Sequence, residues 1–166
     1  MAEATALEAR IQRLEDIEAI KRLKAKYFRC LDSKLWDELA ECFTEDATTN
    51  YTDGQYRRQG KDAIMKFLKA GLDRATFFGF HQGHHPEIER TSEATARGVW
   101  SSHYYMIDTE AKKTMQCGAF YYDDFAKEKG EWKIKSAGYT RIFEENWDRD
   151  GTKGLNLVAV SDFPQS

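Results

Sequence analysis

Leu7, Ile11, Leu14, Ile17, Ile20, Leu23, Tyr27 and Leu31 fall at steps of three or four residues. That spacing predicts one long amphipathic helix at the start of the chain, with charged residues filling its opposite face. Asp32 and Ser33 interrupt the stripe and are placed to cap a second helix carrying Leu35, Trp36, Leu39 and Phe43. From Ala47 the texture changes. Ala47 to Tyr51 reads as a strand, Asp53-Gly54 as a tight turn and Gln55 to Arg58 as the return. Gly60-Lys61-Asp62 leads into a short helix through Ile64, Phe67 and Leu68, followed by a loop to about Gly79. The remainder reads as strands near His81–Arg90, Ala94–Ile107, Met115–Phe125 and Trp132–Phe143, with Glu128-Lys129-Gly130 as the clearest turn. Helices first and long hairpin strands afterwards indicate an α+β fold rather than alternating βαβ units. A strongly curved sheet, mixed or antiparallel, wrapped over the first helices would enclose a pocket.

The chain has 166 residues, which suits one domain spanning 1–149. Gly151, Gly154 and Pro164 mark residues 150–166 as a C-terminal surface extension. A formal net charge of -3 argues against a nucleic-acid binder, which would carry a basic stripe. Cys30, Cys42 and Cys117 are odd in number and lack CxxC spacing, so they read as small core residues in a reducing compartment. The N-terminus shows no secretory leader and no stretch is apolar enough for a membrane span, so a cytoplasmic location is expected. Aromatic residues, 13% of the chain, either fill a heavy core or line an apolar pocket for a flat ligand.

Four ordered blocks carry a family resemblance. The first is Asp16-Ile17-Glu18-Ala19-Ile20-Lys21 with Lys26-Tyr27-Phe28-Arg29-Cys30-Leu31-Asp32 and Trp36-Asp37-Glu38-Leu39. The others are His81-Gln82-Gly83-His84-His85-Pro86-Glu87-Ile88, then Gly118-Ala119-Phe120-Tyr121, then Gly138-Tyr139-Thr140-Arg141-Ile142-Phe143-Glu144-Glu145. Together they resemble the SnoaL-like dehydratases of the NTF2-like superfamily. They are most similar to the bile-acid 7-alpha-dehydratases and, more distantly, to scytalone dehydratases. The resemblance implies a cystatin-like cone and a catalytic set of Tyr27, Asp32, His81 and Arg141. It also implies pocket residues on the strand Trp100-Ser101-Ser102-His103-Tyr104. There the bile-acid enzymes carry a second acidic residue, and an ungapped match puts Tyr104 in its place.

The implied activity is a cofactor-free, metal-free elimination of water from a small, hydrophobic, hydroxylated and carbonyl-bearing polycycle of steroid type. One base, one acid and one oxyanion donor suffice for it. Histidine suits acid/base work near neutrality, which fits His81. Asp32 would orient that imidazole. Tyr27 would polarise an oxygen, and Arg141 would bind a carboxylate or hold Asp32 charged. Read without the resemblance, Tyr27 is core, Asp32 an N-cap, His81 a surface strand residue and Arg141 a structural ion-pair partner. A metal is not expected, because the HxxHH spacing of His81, His84 and His85 lacks helical ligand logic. Strand parity sets two conditions. His103 and Tyr104 cannot both face one pocket. Arg141 shares parity with Lys133 and Lys135, so a bulge near Gly138 is needed to turn it inward. Two other functions stay open: a non-catalytic ligand-binding module, and an isomerase or cyclase using the same base. A homotrimer is implied, with the sheet's outer face and Phe120, Tyr122, Ile134 and Ile142 at its interface.

Overall fold

Helix α1 (Ala2–Asp32) and the short helix α2 (Trp36–Glu41) precede a hairpin of β1 (Phe43–Tyr51) and β2 (Tyr56–Gln59). Helix α3 (Lys61–Leu72) then leads into a meander of β3 (Phe77–Arg90), β4 (Thr95–Asp108), β5 (Lys113–Glu128) and β6 (Glu131–Asp148). The computed structural model describes residues 2–153, 155 and 157–159, with side chains from residue 4. Gly154 and Pro164 of the expected extension lie outside the described residues. The six strands form one sheet in the order β2-β1-β6-β5-β4-β3. It is mixed: β1 runs parallel to β6, and the other neighbours are antiparallel. Lys129 and Gly130, with φ of 51° and 87°, make the tight turn between β5 and β6.

The helices pack on the concave face. Ile20, Tyr27 and Leu31 of the α1 stripe are buried there with Trp36, Leu39, Ile64 and Leu68. The stripe is not apolar throughout its buried part, and charges do not all lie on the opposite face. Asp16 and Lys24, one turn to either side of Ile20, are as buried as it is. Leu7, Ile11 and Leu14 remain 54%, 47% and 64% exposed, so only the second half of the helix is seated on the sheet. The three cysteines are free and buried.

Curvature comes from register shifts, which bend a strand and raise its twist. One falls between His84 and Glu87 of β3, where His85 takes φ 49°. Two fall on β6. Asp124 pairs with Ser136 and Phe125 with Ile134, so Lys135 is the extra residue; Gly118 and Ala119 pair with Phe143 and Arg141, so Ile142 is another. The bulge that turns Arg141 inward is therefore at Lys135, three residues before the expected Gly138. It places Ile134 and Ala137 on one buried face, followed in phase by Tyr139 and Arg141. Ile134, expected at the outer face, is fully buried in the core, whereas Phe120, Tyr122 and Ile142 are exposed.

The end of α1 lies close over β3 because β3 presents two glycines on its inner face. A Cβ on Gly83 would stand 2.4 Å from Phe28 Cε2, inside van der Waals contact. A Cβ on Gly79 would lie 3.5 Å from an Asp32 carboxylate oxygen. Gly83→Ala should therefore push Phe28 off the sheet and lower stability by roughly 1–3 kcal/mol, the range for an overpacked core. Gly79→Ala should be tolerated. Equilibrium urea unfolding of both variants checks the contrast.

Candidate active site

How α1 stops decides what Asp32 can do. Lys34 takes φ 57°. The N–H groups of Leu35 and Lys34 donate to the carbonyls of Cys30 at 2.9 Å and Leu31 at 3.4 Å. This left-handed closure satisfies the terminal carbonyls with backbone alone. Helix α2 starts after Leu35 with no side-chain cap. The expected capping role of Asp32 and Ser33 is thus corrected: Asp32 is the last residue of α1 and its carboxylate reaches across to β3. It accepts the His81 backbone N–H at 2.8 Å and stands 2.5 Å from His81 Nδ1. Because β3 is an edge strand, the first of these bonds also satisfies an N–H that no neighbouring strand reaches. The two side chains are 6% and 12% exposed, so water competes little with the pair.

His81 faces a cavity of about 170 Å³. Its polar lining includes His81, Thr52, Tyr56 and four buried or half-buried phenols, Tyr27, Tyr51, Tyr121 and Tyr139; Leu31, Phe67, Leu68 and Met106 supply apolar wall. The hydroxyls of Tyr27 and Tyr51 meet at 3.0 Å, and those of Thr52 and Tyr139 meet at 2.7 Å. Burial raises all four phenols above their ordinary range, so they stand as neutral hydrogen-bond donors. On its other side His81 borders an open groove between α1 and β3, which Asp32 also lines. The imidazole is therefore part of a wall between two spaces.

The sequence-derived set is only partly brought together. Asp32 and His81 touch, and Tyr27 shares the cavity with His81. Arg141 lies apart from Asp32. Its Nε donates to Asp53 Oδ2 at 2.8 Å, its backbone N–H to Asp53 Oδ1 at 2.8 Å, and a terminal nitrogen to Glu144 at 2.9 Å. The guanidinium is therefore paired to two carboxylates, and the hydrogen bonds it donates hold Asp53 below the usual carboxylate range. Tyr104 points inward but behind the cavity wall, 3% exposed, with its ring 5.4 Å from that of His81. Trp100 belongs to the packed core, and His103 sits on the outer face opposite Gln82 and Gly118. Neither Trp100 nor His103 lines the cavity, contrary to expectation. The alternation of β4 accounts for His103, since the next residue along the strand, Tyr104, takes the inner side.

Tyr51 was missed. Its only signal in the sequence is an aromatic at the end of a short strand, which reads equally as core. Its pairing with Tyr27 depends on α1 crossing β1, a contact between residues 24 apart in the chain.

The family and the neighbours agree with this architecture. The model of the SnoaL-like domain matches residues 12–137. A structure from Novosphingobium aromaticivorans, provisionally named a scytalone dehydratase, is 25% identical, with a TM-score of 0.74 over 82% of this chain and 90% of that one. A hexachlorocyclohexane dehydrochlorinase of the LinA type from Novosphingobium barchaimii is 17% identical, with a TM-score of 0.77 over 90% and 99%. An NTF2-like protein with a cystatin-like fold from Novosphingobium aromaticivorans is 20% identical, with a TM-score of 0.69 over 90% and 92%. The last two share the fold alone.

Asp32→Ala removes the acceptor of both a buried N–H and a buried imidazole. It should lower unfolding free energy by about 1–3 kcal/mol. His103→Ala, on the outer face, should change it by less than about 0.5 kcal/mol. Paired urea titrations test both placements.

Proposed function

We propose that this chain, which belongs to the SnoaL-like domain family, is a lyase that eliminates water from a hydroxylated, carbonyl-bearing ring without a cofactor. The observation that carries the proposal is a carboxylate-held imidazole, Asp32–His81, facing the same small cavity as the hydroxyl pair of Tyr27 and Tyr51. With Nδ1 committed to Asp32, the proton resides on that nitrogen and Nε2 keeps its lone pair. Nε2 takes a proton from the carbon next to the carbonyl. Negative charge moves to the carbonyl oxygen, where a phenolic O–H donates to it. The imidazolium then returns the proton to the departing hydroxyl. Water leaves, a carbon–carbon double bond forms, and the histidine is restored. Asp32 stabilises the transient imidazolium. Arg141 acts outside this step: through Asp53 it anchors the turn that carries Thr52, the partner of Tyr139.

The cavity limits the substrate. Its volume of about 170 Å³ is close to the ~150 Å³ that houses a single benzene ring. The reacting ring alone is therefore enclosed, and a fused polycycle of steroid type would enter ring first with its body at the mouth. An elimination is also the reaction that the names of two structural neighbours describe, a dehydratase and a dehydrochlorinase. An isomerisation would begin with the same proton transfer and end without loss of water.

Incubation with monocyclic β-hydroxy ketones and with 7-hydroxy-3-oxo-4-ene steroids, followed by absorbance of the conjugated product and by mass, tests the reading. His81→Ala should lower turnover by about 10²–10⁴-fold with the thermal midpoint retained. Tyr27→Phe should raise the barrier by roughly 2.7–4 kcal/mol while packing is kept. Turnover unchanged in His81→Ala would remove the imidazole from the mechanism, and tight binding of these ketones without product would favour a binding module instead.

The proposal includes a homo-oligomer, with a trimer as the expected state. Phe80, Phe120, Tyr122, Ile142 and Phe143 stand on the convex face with exposures of 38–63%, a density of apolar side chains that monomers seldom leave in water. Sedimentation at micromolar concentration should report a multiple of the 19.2 kDa chain. A stable monomer would refute it.

A further inference from the structure

Lys24 lies on the buried face of α1, one turn before Tyr27 and Phe28, so all three side chains share one side of the helix. Its ammonium stands 2.8 Å from Asp123 Oδ2, and neither side chain has exposed area. Asp123 is on the inner face of β5, paired in register with Gly98 of β4 and Ala137 of β6. The same ammonium is 3.9 Å from the ring centroid of Tyr121, 4.7 Å from that of Tyr27 and 4.8 Å from that of Phe28. All three distances are within the reach of cation–π attraction. Phe28 in turn lies parallel to the His81 imidazole, with centroids 6.0 Å apart and planes 9° from coplanar. Gly83 leaves the space that lets it do so.

Stability does not explain this pair. A buried ion pair is often replaced by apolar residues of similar volume with no loss, because desolvation offsets the attraction. Here the pair is also imperfectly satisfied: Lys24 Nζ and both Asp123 oxygens lack a hydrogen bond of good geometry. What the pair touches is specific: two rings that line the cavity, Tyr27 and Tyr121, and the ring that backs the imidazole. We infer that Lys24 and Asp123 are positioning residues for the elimination, the ammonium seating the rings of Tyr27 and Phe28 and, through them, the phenol and the imidazole that face the substrate. This rests on the reaction proposed above and adds two residues to it. Neither touches substrate.

Single substitutions leave an unpaired buried charge and would confuse positioning with folding. The test therefore uses Lys24→Met/Asp123→Leu, which removes both charges, and Lys24→Gln/Asp123→Asn, which removes them while keeping polar groups in place. Both double variants should unfold at or above the wild-type temperature. Their kcat should fall about tenfold or more with KM within about twofold, as expected when reacting groups shift by a fraction of an ångström. In NMR spectra without substrate, the Phe28–His81 ring contacts should weaken and the Tyr27 ring signals should broaden. Wild-type kcat and wild-type ring contacts in folded double variants would overturn the inference. So would loss of folding in both, which would make the pair a stability element. His81→Ala in the same assay separates the two ideas. If it is inactive while the double variants match wild type, only the role of Lys24 and Asp123 fails. If it is fully active, the elimination itself fails, and the substrate-free ring contacts still decide whether the pair seats the rings.

Discussion

The carboxylate of Asp32 bridges a helix end and a sheet edge, and the candidate site hangs on that bridge. One oxygen takes the backbone N–H of His81 and the other takes its ring nitrogen. The first bond fixes where β3 sits relative to α1, and the second fixes which way the imidazole faces. Both require the helix to end without using Asp32 as a cap, which the left-handed Lys34 makes possible. Both also require β3 to come close, which Gly83 allows.

Around this bridge the interior is more polar than a small domain needs for folding. Asp16 gathers Arg90, Lys127 and the Trp132 N–H at the middle of α1. These contacts are buried but peripheral, and they tie the helix across β3, β5 and β6. Lys24 and Asp123 are central and lie beneath the phenols. Desolvation pushes the lysine down and the aspartate up, while each opposes the shift in the other. Such a pair contributes little net stability; the inferred orientation of the rings would be its return. Its place under Tyr27 and Phe28 suits a site whose chemistry depends on angles more than on affinity.

The phenol cluster and the cavity volume bear on chemistry together. Burial keeps the tyrosines protonated, which in the proposed elimination suits them as donors toward a developing oxyanion and leaves the imidazole to act as the base. The space they enclose is that of one ring. Selectivity then falls on what can present a ring to His81 rather than on how much apolar surface can be buried.

Much of the fold was legible from periodicity. The step of three and four in α1, the run of hairpin strands and the turns at Asp53-Gly54 and Lys129-Gly130 are local signals, set by backbone preference and side-chain alternation. The SnoaL-like identity was legible as ordered blocks, and with it the pairing of Asp32 with His81. The faces of the later strands were not legible, because one extra residue reverses every side chain beyond it. Parity called for a bulge near Gly138 to turn Arg141 inward, but nothing local to Lys135 marks that residue as its place. Tyr51 and Lys24 were equally hidden. A phenol at a strand end and a lysine within a stripe have ordinary readings until a distant segment packs on them. The sequence by itself determined which segments are helix and strand and which residue types the site can draw on, since these follow from neighbours along the chain. Tertiary structure alone decided which of those residues meet, because the Tyr27–Tyr51, Asp32–His81 and Lys24–Asp123 contacts each join segments whose distance in space is set by the curvature of the sheet.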